Sequence, residues 1–206
     1  MNYLKRNYLI PINYKENANS IMVCDKCWNV VRLDIPQSGY RLMDISSTYN
    51  DFRVNHIKPD YECFCEQCQN FMFPCDEEFV DRIIDLNKFG VITEFCCEGH
   101  CTVTSSIKRG HYLIIDMPYL AINKDIEPEL LDILKGLLSQ QVYQFIQFED
   151  DMEDMYVIRG SLYGEYAILE SISDEDDKKN IECDFNTMKE RYFDLIDDFI
   201  YSIRGE

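Results

Sequence analysis

Two Cys-x2-Cys pairs, Cys24-Asp25-Lys26-Cys27 and Cys65-Glu66-Gln67-Cys68, are the residues whose types and spacing most directly imply chemistry. Each turn aims two sulfurs at one point, and two turns together supply the four soft ligands of a closed tetrahedral zinc site. A closed site leaves no position for water or substrate, so zinc held by Cys24, Cys27, Cys65 and Cys68 would be structural rather than catalytic. Cys63 and Cys75 lie close enough in sequence to replace one of the four, so the choice of the fourth ligand stays open.

A second cluster, Cys96-Cys97-Glu98-Gly99-His100-Cys101, is compatible with several chemistries. Neighbouring side chains of a strand point to opposite faces, so Cys96 and Cys97 are not expected to enter one site. Cys97, His100 and Cys101 could share a second metal around the turn. Cys97 and His100 could instead form a nucleophile pair, although no third residue orients them. The turn could also contact a ligand, or be a buried-thiol hairpin with a surface histidine. Under the ligand-contact reading the candidate residues are Thr93, Cys97, Glu98, Gly99, His100, Lys108 and Arg109, and the only catalytic candidates are Cys97 and His100.

The elements that must position these groups can be read from apolar spacing. Strand-like runs at 29–35 and 40–45 flank a Pro36-Gln37-Ser38-Gly39 turn, and a return strand follows the second knuckle. This layout predicts a zinc ribbon over residues 1–75. A helix is predicted over 76–88, with Asp76 as N-cap, Glu77 and Glu78 in its first turn and Gly90 at its C′ position. Strands are predicted at 91–97, 101–107, 112–117 and 142–148, and a hairpin at 156–162 and 166–171. Pro128 opens a helix with a stripe of Leu130, Leu131, Leu134, Leu137 and Leu138. A last helix carries Phe185, Met188, Tyr192, Leu195, Ile196, Phe199 and Ile203 on one face, and the charge run 174–179 before it reads as a solvated loop. The expected class is α+β: a zinc ribbon, then a mixed or antiparallel sheet packed with about three helices over 76–206.

Composition narrows the function. The chain has 206 residues, ten cysteines and a formal charge of −18. Residues 1–75 carry eight basic and eight acidic side chains, so the whole net charge falls on residues 76–206. A surface that acidic repels phosphate backbones and disfavours general nucleic-acid binding. No run resembles a signal peptide or a membrane span, so a cytoplasmic, soluble protein is expected, in which cysteines serve metal ligation or stay as buried thiols.

Asp76-Glu77-Glu78, then Leu86-Asn87-Lys88-Phe89-Gly90-Val91-Ile92-Thr93 and Cys96-Cys97-Glu98-Gly99-His100, resemble a module of small, mostly uncharacterised bacterial and phage proteins, with an LNxxGxxT segment followed by CCxGH. The same stretch is distantly similar to the wybutosine-synthesis methyltransferase-like family and its TTSSCSGR signature. Thr93, Cys97 and Gly99 fall on its Thr, Cys and Gly, while His100 replaces the Arg, and Cys96 and Glu98 replace the two Ser that flank the Cys. The resemblance implies that the turn lies at a functional surface. The leading expectation is a zinc-binding protein whose acidic domain binds a small-molecule or protein ligand, with homo-oligomerisation possible. The alternatives are a nucleoside- or RNA-modifying enzyme using the Cys97/His100 turn, and an acidic regulatory or anti-defence interaction protein.

Overall fold

A short apolar run buried on both faces sets the first described strand, Ser20–Cys24: Met22 and Cys24 share one face, Ile21 and Val23 the other, and all four are buried. A computed structural model describes residues 20–24, 26–33, 65–69, 72–106, 110–162, 166–170 and 175–205. The expected strand at 40–45 and the candidate residues Cys63, Lys108 and Arg109 lie outside them. The chain divides into two compact units, Met1–Val80 and Asp81–Glu206.

In the first unit β1 (Ser20–Cys24) is the centre of a three-stranded antiparallel sheet, flanked by β2 (Val30–Leu33) and β3 (Met72–Cys75). The first knuckle is the turn between β1 and β2, and the second leads into β3, which places Met72 opposite Cys24. β3 pairs on one side only, so Pro74 removes no ladder bond that the described sheet needs. Met22, Cys24, Cys65 and Met72 form a small core with Val31 and Cys68 against it. Such a core contributes little by itself, so a metal at the cysteines would supply folding energy directly. Arg32 of β2 also pairs with Glu77 at 2.8 Å.

The predicted helix over 76–88 is a 3-10 turn, Glu77–Phe79, followed by α1 (Val80–Lys88). Asp76 stands at the N-cap of that turn without a side-chain capping bond, unlike the expectation. The other end matches it. Gly90 has φ of 88° and its N–H donates to Asn87 O at 3.2 Å, while Val91 N–H donates to Leu86 O at 2.9 Å. This is the Schellman pattern, closed by the buried pair Leu86 and Val91.

In the second unit β4 (Thr93–Cys97) and β5 (His100–Ser106) pair antiparallel with β7 (Tyr119–Asn123) and β6 (Gly110–Asp116). Cys97 lies opposite Tyr119 and His100 opposite Asp116, so one register runs through both pairings. β4–β5 and β6–β7 are therefore two arms of a single long ribbon, interrupted at Glu98-Gly99 and Met117-Pro118. One half is extended by β10 (Tyr166–Glu170) on β6. The other is extended by β9 (Met155–Gly160) on β7 and then β8 (Ile146–Glu149), and every described pairing is antiparallel. The expected β9–β10 hairpin is corrected accordingly: the two strands lie in different sheets, each continuing its own half of the ribbon.

Two further helices complete an α+β unit: α2 (Pro128–Leu138) and α3 (Glu175–Arg204), the latter about 45 Å long. The charge run expected as a loop is largely the first turns of α3. Phe185, Met188, Tyr192, Leu195, Ile196 and Phe199 bury one stripe of that helix. Tyr192 donates its hydroxyl to Ile158 O of β9 at 3.1 Å, and Tyr143 donates to Asp198. Arg82 of α1 forks onto Asp197 at 2.8 and 2.7 Å, and Arg204 pairs with Asp85 at 2.5 Å, which ties α1 to α3.

Candidate metal centre and the Cys97–His100 turn

The two knuckles fold alike although their sequences share only the cysteines. In each, the residue after the second cysteine donates its N–H to the carbonyl of the first: Trp28 to Cys24 O and Gln69 to Cys65 O, both at 2.9 Å. Trp28 and Gln69 have φ of 61° and 54°, the only non-glycine residues with positive φ among those described. A left-handed residue is what turns the chain away so that both sulfurs face inward. Glycine is the usual occupant, so Trp28 and Gln69 carry no residue-type signal of this geometry.

The turns bring Cys24, Cys27, Cys65 and Cys68 together, with all four sulfurs within 4.8 Å of one another. Cys24 and Cys68 approach to 3.3 Å, Cys27 and Cys65 to 3.4 Å, and Cys27 and Cys68 to 3.7 Å. Zn–S bonds of about 2.3 Å in a tetrahedron require sulfurs about 3.8 Å apart, so a few tenths of an ångström of expansion would seat the ion. Cys24 and Cys65 are fully buried, while Cys27 is exposed. The Asn29 amide side chain reaches Cys65 Sγ at 4.0 Å. Burial opposes ionisation of Cys65, but the backbone amides of Cys68 and Gln67 and the Cys27 thiol outweigh it and bring the thiol down to about 6. The Asn29 amide favours the Cys27 thiolate, yet its bond to Cys65, loss of solvent and nearby Cys24 leave that thiol raised. Of the two, Cys65 is the thiol whose surroundings favour the thiolate, the form that binds metal. The donor set and spacing fit zinc. Cys75 is buried and donates to Asp76 O at 3.4 Å, outside the cluster of four.

The turn at the ribbon's interruption is held from several sides. Gly99 has φ of 77°, and a Cβ there would meet Pro118 N at 2.7 Å and Asp116 O at 3.0 Å. At Gly160 a Cβ would meet Met188 Sδ at 2.5 Å and Pro118 Cδ at 3.2 Å, so two glycines let strand, corner and α3 close on one another. Lys189 of α3 lies 3.7 Å from Glu98 Oε1 and donates to Gly99 O at 3.4 Å. Lys189 is a residue that the sequence reading missed, because ninety positions separate it from Gly99 and its flanks read as an ordinary amphipathic helix.

Cys97 Sγ and a ring nitrogen of His100 lie within 4.8 Å of each other. Burial, aided by the Lys189 ammonium, lowers the imidazole to about 4, so it is neutral near pH 7. Among the described residues Cys101 does not join them. It follows His100 in β5 and so points to the other face, where burial and then Glu182 raise its thiol to about 11. Asp116, opposite His100, is raised by burial. Thr93 is 3% exposed, and its hydroxyl and amide are both engaged by Asn87, at 2.8 and 3.3 Å. Asn87 also donates to Ile83 O at 2.8 Å. The LNxxGxxT segment is thus a helix stop plus an Asn87–Thr93 latch, which accounts for its residues structurally. Cys97 is 4% exposed, so a nucleophile there would meet substrate only after the turn opens.

No protein-family model matches this chain, and no curated protein matches it. Among solved structures it is similar to the PH1069 protein from Pyrococcus horikoshii, with a TM-score of 0.44 and 12% sequence identity over 62% of this chain and 84% of that one. No helix among the described residues is long and apolar enough to cross a membrane.

Proposed function

We propose that this is a zinc protein in which Cys24, Cys27, Cys65 and Cys68 hold one ion as a structural staple, and whose acidic second unit binds a ligand. The carrying observation is the convergence of four sulfurs from two identically folded knuckles, with spacings a few tenths of an ångström short of a zinc tetrahedron. Zinc bound there would neutralise thiolate charge and join segments that few apolar contacts connect. The chain's own contribution is to aim the sulfurs through Trp28 and Gln69 and to bury Cys24 and Cys65.

The formal charge of −15 on residues 81–206 favours a cationic protein surface over nucleic acid as ligand of the second unit. The Cys97–His100 turn is the candidate place for a small molecule, through Glu98 and His100, which keep partial exposure. The buried Cys97 gives the enzymatic alternative no accessible nucleophile. Cobalt substitution tests the metal reading. Co2+ titrated into the metal-free chain should give the d–d bands of tetrahedral thiolate coordination, saturate at one ion and quench Trp28, the chain's only tryptophan. An octahedral spectrum, or saturation unaffected by Cys65→Ser, would defeat it.

A further inference from the structure

The four thiols divide into two close pairs, and both run from one knuckle to the other: Cys24 with Cys68 at 3.3 Å, and Cys27 with Cys65 at 3.4 Å. Their exposure is unequal, with Cys27 open to solvent and its partner Cys65 buried. We propose that the centre is a peroxide-responsive thiol switch, in which oxidation releases the metal and leaves two cross-knuckle disulfides, Cys27–Cys65 and Cys24–Cys68. This rests on the metal-site reading above and adds to it a regulation of the same residues.

The exposed Cys27 sulfur attacks one peroxide oxygen. The O–O bond breaks, a sulfenic acid forms, and the departing hydroxide takes a proton to become water. Cys65 then attacks the Cys27 sulfur, the S–O bond breaks, and a second water leaves as the disulfide forms. With two ligands gone the ion is released, and Cys24 and Cys68 undergo the same two steps with a second peroxide. Each disulfide costs one peroxide, which accepts the two electrons that the thiol pair loses.

The pairing matters for the fold. Disulfides within a knuckle would join residues three apart and leave the segment of β1 and β2 unlinked to that of β3. Cross-knuckle disulfides join 24 to 68 and 27 to 65, the same segments that the metal joins, so the oxidised unit keeps its staple. The switch therefore exchanges one cross-link for another, and a dithiol reductant with zinc restores the first.

Hydrogen peroxide titrated into the zinc-loaded full-length chain tests this, with released zinc read by a chromogenic chelator and linkages read by peptide mass spectrometry without reduction. Trypsin cuts after Lys26 and a glutamyl endopeptidase after Glu66, so the four cysteines fall on four separable peptides, and fragment ions distinguish Cys65 from Cys63 and Cys68 from Cys75 on theirs. The expected result is zinc released by the first peroxide, two peroxides consumed per chain at completion, peptides joined 24–68 and 27–65, and zinc rebinding after dithiothreitol. Linkages within a knuckle, bridges to Cys101 or Cys183, sulfinic acids in place of disulfides, or zinc retained at stoichiometric peroxide would each overturn the switch. A chain that takes up no zinc before oxidation would instead overturn the metal reading, so the two failures are distinguishable.

Discussion

Replacing three glycines of the second unit by alanine should give three different outcomes, because the surroundings of the added methyl group differ. At Gly99 the Cβ would lie 2.7 Å from Pro118 N and 2.8 Å from Pro118 Cδ, on a backbone with φ of 77°. The left-handed conformation costs about 1–2 kcal/mol for a side chain, and forcing backbone apart adds about 1–3 kcal/mol. Gly90 shares the left-handed backbone, φ of 88°, but nothing lies within 4 Å of its Cβ, so only the conformational cost of about 1–2 kcal/mol applies. Gly136 sits inside α2 with open space and ordinary φ, where alanine should stabilise by about 1 kcal/mol through helix propensity. At about 4 °C per kcal/mol for a unit of this size, thermal melts followed by circular dichroism should show Gly99→Ala lowered by roughly 8–20 °C. Gly90→Ala should fall by roughly 4–8 °C and Gly136→Ala rise by roughly 4 °C. If Gly99→Ala costs no more than Gly90→Ala, the close packing of turn, Pro118 corner and α3 is not what shapes the ribbon.

Asn87→Ala removes the latch to Thr93 and the bond to Ile83 O, and should cost about 1–3 kcal/mol in urea unfolding while leaving metal content unchanged. Loss of metal instead would show that the LNxxGxxT segment supports the knuckles. Gln69→Gly relieves the left-handed strain at an exposed position, and should raise zinc affinity in chelator competition by about fivefold, from about 1 kcal/mol of relieved strain. His100 is depressed to about 4 from an ordinary value near 6.5, so the unfolded chain takes up its proton first as pH falls. Its contribution is fully present above pH 6.5 and lost progressively between 6.5 and 4. With partial exposure allowed for, the loss should be about 2 kcal/mol. Denaturation midpoints across that window should flatten in His100→Gln, and an unchanged slope would assign the effect to other groups.

Much of the first unit was legible because its signal is local. Cys-x2-Cys spacing already contains the knuckle, and the strand after each knuckle follows from apolar alternation. What the spacing does not contain is the left-handed residue that closes each turn, since Trp28 and Gln69 carry none of glycine's signature. In the second unit the α3 stripe and the Gly90 stop were readable from period and punctuation. β7 was missed because Tyr119–Asn123 is short and follows directly on Pro118, so it reads as part of a connection. The β9–β10 hairpin was misjudged because two strands around Tyr163-Gly164-Glu165 look local, while β9 pairs with β7, 32–40 residues earlier, and β10 with β6, 50–58 residues earlier. The candidate turn residues were chosen by type, and type does not reveal that Thr93 serves a helix stop or that Glu98 faces Lys189.

Metal content of the full-length chain, measured by elemental analysis alongside native mass spectrometry, tests the central claim most directly. The account predicts one zinc per chain, lost in Cys24→Ser and Cys65→Ser and retained in Cys97→Ser and His100→Ala. A chain that binds no zinc, or keeps its zinc when Cys24 or Cys65 is replaced, would contradict it.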